Sequence, residues 1–159
     1  MWFKVGRSGD LEGTRMLLGE YEHTIDDKSR LTLPARFRQS FTEGVIVSRG
    51  LDGCLYAYPR ADWTSAIETR LGELDPLSKE GRRLQLYFYS GAVEGELDKQ
   101  GRIGIPGALL EHAQLVRDVV VAGVHDHLEI WDRAAWRREL AEVEGSAEHV
   151  AEHIAAKRD

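Results

Sequence analysis

Residues 24–38, TIDDKSRLTLPARFR, are nearly restated at residues 96–110, ELDKQGRIGIPGALL. Set Pro34 on Pro106 and the offset is 72; Gly19, Glu22, Asp26, Arg30 and Pro34 then fall on Gly91, Glu94, Asp98, Arg102 and Pro106. Ile25, Leu31, Leu33 and Phe37 meet Leu97, Ile103, Ile105 and Leu109, apolar for apolar. Further on, CLYAYPRADW answers HLEIWDRAAW with the offset grown to 73, so one residue has been added in a loop. Such self-similarity is a statement about architecture. Two copies are too few for a solenoid, and they predict a pseudo-two-fold unit.

Each copy carries the same local signals. EYEHTI and VEGEL are short strand candidates, and RLTLP and RIGIP alternate polar and apolar residues as half-buried strands do. DDKS and DKQG between them are turn formers, so a tight connection is expected in each copy. Pro34 and Pro106 are placed to open short helices, where a missing amide hydrogen costs nothing. GVIVSRG and DVVVAGV then read as buried strands. Trp63, Ile67, Leu71 and Leu74 follow at helical spacing, and residues 78–92 form a linking helix with Leu84, Tyr87 and Phe88 on one side. A long amphipathic helix is predicted from Ala134, with an interruption or kink at Gly145. The organisation expected is an N-terminal extension over 1–15, disordered; repeats over 20–66 and 91–136; and an acidic helical tail over 137–159.

Net charge is −6, which by itself argues against nucleic acid. That argument is weak, because the distribution of charge decides the matter and the total does not. Residues 139–159 hold six acids and two bases, hence −4 of the −6, while Lys28, Arg30, Arg36 and Arg38 lie within eleven residues that contain no acid. No apolar run reaches the length of about eighteen residues that a membrane span needs. The lone cysteine, Cys54, lies in a strand-like run and is expected as a buried thiol in a reducing cytoplasm.

The shared unit Asp-x-x-x-Arg, Asp26 with Arg30 and Asp98 with Arg102, has two readings. One is a salt bridge that staples each turn, worth about 0–1 kcal/mol when exposed. The other is recognition: an arginine beside a turn offers its planar fork to a guanine edge or a phosphate, and the aspartate fixes that fork beforehand. Lys28 and Lys99, in the same loops, are candidates for phosphate contact. Arg36 and Arg38 either extend that surface or form the solvated side of a helix. Rival chemistry is thin. His149–His153 matches a zinc pattern (H-x-x-E-H) but lies in an alternately charged helix, and His125–His127 falls in a loop between strands. No glycine-rich phosphate loop is present, and nothing positive points to an enzyme or a cofactor.

GEYEHTIDDKSRLTLPARFR together with GELDKQGRIGIPGALLEHA resembles the MraZ family of bacterial transcriptional regulators, from about Met16 to about Glu144. The resemblance implies an α+β fold, a swapped-hairpin (AbrB-like) β-barrel built from two tandem SpoVT-AbrB-type repeats with flanking helices. It implies ring-like homo-oligomers, octamer-like, in the cytoplasm and on the nucleoid. It also implies double-stranded DNA as partner, with control of the division and cell-wall gene cluster through repeated promoter boxes. Carried over, the DNA-binding residues are Asp26, Lys28, Arg30, Asp98, Lys99 and Arg102. An antitoxin-like interaction module of the same fold is the alternative. Ser29 departs from the family's usual glycine, which Gly101 keeps; if the turn needs a positive φ, Ser29 brings strain.

Overall fold

The computed structural model describes residues 16–158, so the expected disorder of 1–15 lies outside the described residues. In chain order the elements are β1 (Leu17–Thr24), β2 (Arg30–Thr32), a 3-10 helix (Ala35–Phe41), β3 (Val45–Arg49), β4 (Leu55–Pro59) and α1 (Arg60–Trp63). A π-helical turn over Thr64–Glu68 joins α1 to α2 (Thr69–Gly72), and α3 (Lys79–Ser90) leads into the second copy. There follow β5 (Ala92–Gly95), β6 (Arg102–Gly104), α4 (Gly107–His112), β7 (Asp118–His125), β8 (Leu128–Asp132) and α5 (Arg133–Arg158).

The two copies cross over one another. A six-stranded antiparallel sheet runs β1-β7-β8-β4-β3-β5, so β1 of the first copy pairs with β7 of the second, and β5 of the second pairs with β3 of the first. Exchange β1 with β5, β3 with β7 and β4 with β8, and the order maps onto itself. The pseudo-two-fold axis therefore passes between β4 and β8, which pair from Leu55↔Ile130 to Ala57↔Leu128. The same axis passes through a separate two-stranded ribbon, β2 with β6, in register Arg30↔Gly104, Leu31↔Ile103 and Thr32↔Arg102. Hydrogen bonds from Leu33 N to Gly101 O and from Ile105 N to Ser29 O extend the ribbon at both ends.

Period-2 alternation explains the ribbon's two faces. Leu31, Leu33, Ile103 and Ile105 turn inward and are buried in one core with Phe37, Phe41, Val47, Leu55, Val121 and Ile130. Four fully buried aliphatic side chains contribute roughly 6–12 kcal/mol at about 1.5–3 kcal/mol each. That is the scale of a whole domain's net stability, about 5–15 kcal/mol. The ribbon cannot lift away while the rest stays folded.

Several local expectations are met with changed detail. Pro34 and Pro106 stand just before their helices as cap residues, and Phe37 and Phe41 are buried together one turn apart. Of Leu84, Tyr87 and Phe88, expected on one side of the linking helix, Phe88 is buried, Tyr87 is half-buried and Leu84 is exposed. The kink expected at Gly145 is absent. α5 continues through it for 26 residues, because one glycine costs a helix only about 1 kcal/mol and the flanking turns are intact. No helix among the described residues is long and apolar enough to cross a membrane.

Leu31→Ala is expected to lower unfolding free energy by about 2–5 kcal/mol, the usual cost of a core cavity. Val116→Ala, at a site that is 86% exposed, should stay within about 0.5 kcal/mol. Urea unfolding of both variants checks the pair, and equal midpoints would mean that the ribbon is not part of the cooperative core.

Candidate nucleic-acid interface

Each Asp-x-x-x-Arg unit closes a turn with the same set of bonds. In the first copy, the amides of Lys28 and Arg30 donate to Asp26 Oδ1 at 2.9 and 2.8 Å, and Arg30 Nε donates to Oδ2 at 2.9 Å. In the second, the amides of Gln100 and Arg102 donate to Asp98 Oδ1 at 2.9 and 2.8 Å, and Arg102 Nε donates to Oδ2 at 2.7 Å. Backbone bonds match as well: Asp26 N to Arg30 O at 2.9 Å, and Asp98 N to Arg102 O at 3.0 Å. An aspartate is suited to this position because both carboxylate oxygens are used, one by the backbone and one by the side chain.

The bonds hold each carboxyl below the usual carboxylate range. The Arg30 amide is the largest cause at Asp26, and the Arg102 amide at Asp98; the guanidinium and the second amide add to it, against a smaller opposing effect of desolvation. Each arginine is thus fixed through Nε. The terminal nitrogens of Arg30 have no hydrogen-bond partner among the described residues, and Arg102 spends only one, at 3.3 Å from Gln100 Oε1. The side chains stay 31% and 27% exposed.

Both turns demand a left-handed residue. Ser29 adopts φ 60° and Gly101 φ 77°, so Ser29 carries the strain expected from its sequence, about 1–2 kcal/mol for a residue with a Cβ. At Gly101 a second requirement applies. A Cβ there would run into the side chain of Arg38, whose Nε donates to Leu33 O at 3.0 Å. The second copy has Leu110 at the place of Arg38, so that close approach has no counterpart at Ser29.

The ribbon brings the two units together. With Leu31 and Ile103 inward, Arg30, Thr32, Arg102 and Gly104 share its outer face. Strand geometry sets the Cα atoms of Arg30 and Arg102 about 8 Å apart, with the two turns about 13 Å apart along the ribbon. Lys28 and Lys99 are exposed in the turns, but they are not equivalent. Asp27-Lys28 is matched by Lys99-Gln100, so the lysine sits one residue earlier in the second turn. Arg36 is engaged at home, donating to Tyr21 Oη at 2.7 Å with its guanidinium 5.9 Å from that ring's centre. Arg38 lies along the second turn. Gln100, Thr32 and Gly104 were not singled out from sequence. Aligning Lys28 with Gln100 was the one available signal for Gln100.

Of the rival histidines, His127 finds ordinary partners. His127 is buried beside the rings of Tyr56 and Tyr58, with Asp126 Oδ1 at 2.8 Å and Glu129 Oε2 at 3.4 Å. Burial pushes the imidazole down, but the bonds to Glu129 and Asp126 together outweigh it and leave His127 above its ordinary value. His149 and His153 lie on the exposed part of α5. No group of three or more metal-ligating side chains is formed among the described residues. Cys54 is buried, and burial pushes its thiol well up, as befits a structural cysteine.

Comparison with known proteins bears on the same residues. The family described as "MraZ protein, putative antitoxin-like" matches residues 16–86 and again 88–157. A transcriptional regulator MraZ of Limosilactobacillus fermentum is 50% identical over 121 residues, 76% of this chain and 84% of its own. Its namesake in Roseiflexus castenholzii is 45% identical over 143 residues, 90% of this chain and 99% of its own. That of Thermoanaerobacter sp. is 43% identical over 139 residues, covering 87% and 96%.

The turn geometry has a pH signature. With folded-state carboxyls depressed below about 4, the ordinary aspartate value, the Asp26 and Asp98 bonds stabilise the turns at all pH above that value. They are lost as pH falls through the lower folded-state values. A carbon-detected NMR titration should place both carboxyl midpoints below the ordinary aspartate value, with the Arg Nε–H signals exchanging faster over the same interval. Ordinary midpoints would mean that the clasp does not persist in solution.

Proposed function

Because this chain belongs to the MraZ family, matched over both of its copies, we propose that it is a sequence-specific double-stranded DNA-binding transcription regulator. The observation that carries this reading is the duplicated clasp. Two arginines are fixed through Nε on one face of a two-stranded ribbon, the terminal nitrogens of Arg30 without a hydrogen-bond partner among the described residues and those of Arg102 giving one long bond to Gln100. A β-ribbon fits the major groove, and an arginine fork suits the O6 and N7 of guanine. A separation of about 8 Å spans roughly two base steps of about 3.4 Å. Asp26 and Asp98 orient the forks, Arg30 and Arg102 read base edges, and Lys28 and Lys99 meet phosphates.

We read the crossed pairing as the swapped-hairpin barrel that the sequence resemblance implies, with the ribbon as its exposed reading surface. The targets are repeated boxes upstream of the division and cell-wall gene cluster, this protein's own promoter among them, and the protein works in the cytoplasm on the nucleoid without catalysing a reaction. Several chains act together in a ring, octamer-like. One ribbon supplies few cations, and specific affinities of about 10⁻⁸–10⁻¹¹ M need more contacts than that. Linked subunits supply them through effective concentration. The antitoxin-like alternative keeps the fold and replaces DNA by a protein; binding that is indifferent to salt would favour it.

Arg30→Ala and Arg102→Ala should each cost about 1–3 kcal/mol of specific binding, roughly 5- to 150-fold, with melting little changed. Wild-type affinity in both variants, measured by fluorescence anisotropy on DNA from upstream of the gene, would remove the clasp from the interface.

Duplexes bearing one, two or three boxes should bind with rising affinity, and shifting the spacing by half a helical turn should abolish the gain. Equal affinity for one box and three refutes the multi-chain mechanism.

A further inference from the structure

In the first copy the helix after β4 is covered. Trp63 and Leu71 are buried against Phe88 of α3, and Gln85 Nε2 donates to Leu71 O at 2.9 Å. The matching helix of the second copy, α5, starts the same way with Trp136, whose Nε1 donates to Glu20 at 3.1 Å. Beyond Leu140 it has no cover among the described residues: of 141–158, every residue but Ser146 is exposed. Yet its large apolar residues, with Ala147, keep a seam. Trp136, Leu140, Val143, Ala147, Val150 and Ile154 recur at alternating steps of four and three, the spacing by which one helix packs on another.

A second unpartnered apolar surface lies on the opposite half of the pseudo-dimer. Leu51, Leu84 and the Tyr87 ring, with Glu80 and Arg83, line an open groove of about 400 Å³ along α3. The groove is built beforehand: the Tyr87 hydroxyl donates to Gly50 O, and Arg49 lies 5.5 Å from the Tyr87 ring centre and donates to Tyr87 O at 2.8 Å. The charges of the two surfaces are opposite. Residues 79–84 hold three bases and one acid, whereas residues 139–156 hold five acids and no lysine or arginine. Pairing α5 with its own copy in parallel would instead set Glu139 against Glu144 of the second chain, at the positions that choose coiled-coil partners.

We propose that the Leu140–Ile154 face of α5 in one chain docks into the Leu51–Leu84–Tyr87 groove of a second copy, along the basic half of α3. It rests on the multi-chain reading above and gives it a contact surface. In each chain α3 then lies between its own α2 and its neighbour's α5. Because helix and groove are different surfaces, the contact is head-to-tail and propagates from chain to chain, closing into a ring where the rotation per step closes.

Sedimentation velocity of the full chain tests this with Ile154→Lys and Leu84→Lys, both at exposed sites. The wild type should sediment as more than two chains and each variant as one, with unchanged circular dichroism. An equimolar mixture of the two variants should recover a two-chain species and nothing larger, since each pair keeps one intact helix and one intact groove. Arg83→Glu, a surface charge reversal, should weaken assembly at least tenfold at low salt. Assembly that survives Leu84→Lys overturns the groove, whether α5 then pairs with itself or the chains meet elsewhere, and leaves the multi-chain reading standing. Two monomeric variants that do not combine overturn the helix-to-groove contact. A monomeric wild type removes both readings.

Discussion

Leu31 and Ile103 face one another on the inner side of the β2–β6 ribbon, 0% and 3% exposed, and the remainder of the fold is arranged around that contact. Neither copy supplies both strands of the ribbon, and neither completes its own sheet, since β1 goes to β7 and β5 to β3. The hydrophobic pair is buried only when both halves are in place. Each half therefore pays its chain entropy jointly with the other, and the unit is expected to fold as one.

The same contact decides where the arginines go. Alternation along a strand puts the neighbours of an inward residue outward, so burying Leu31 and Ile103 presents Arg30 and Arg102 on the opposite side. The aspartates finish the placement by taking Nε and leaving the fork. The pair's own contribution to stability is small at this exposure. Its value lies in the freedom it removes from two long side chains before any ligand arrives.

Much of this was legible in the chain. Apolar-for-apolar matching at an offset of 72 exposed the duplication, and the strands from Leu17 to Asp132 follow from alternation and buried runs. Asp26, Arg30, Asp98 and Arg102 were visible because the repeat wrote them twice. What alternation cannot show is which strand a strand pairs with, so the shared outer face of Arg30 and Arg102 emerged only from the register. Arg38 against Gly101 joins residues far apart in sequence, and Leu84 on the outside of α3 depends on the direction from which the sheet approaches. Gly145 misled because its cost is local and small beside that of interrupting a long helix.

The duplication has a consequence for how such a molecule can change. In a homodimer of half-chains, a substitution at one turn is made at the other as well, and every fault is doubled. Here the halves share one backbone, and each position is free to vary alone. The differences recorded in this chain are of that kind: serine at residue 29 where 101 is glycine, lysine at 28 where 100 is glutamine, and leucine at 71 where 144 is glutamate. Covalent fusion is what lets a two-fold architecture become handed, with the helix of one half held against α3 and its counterpart in the other half left bare beyond Leu140.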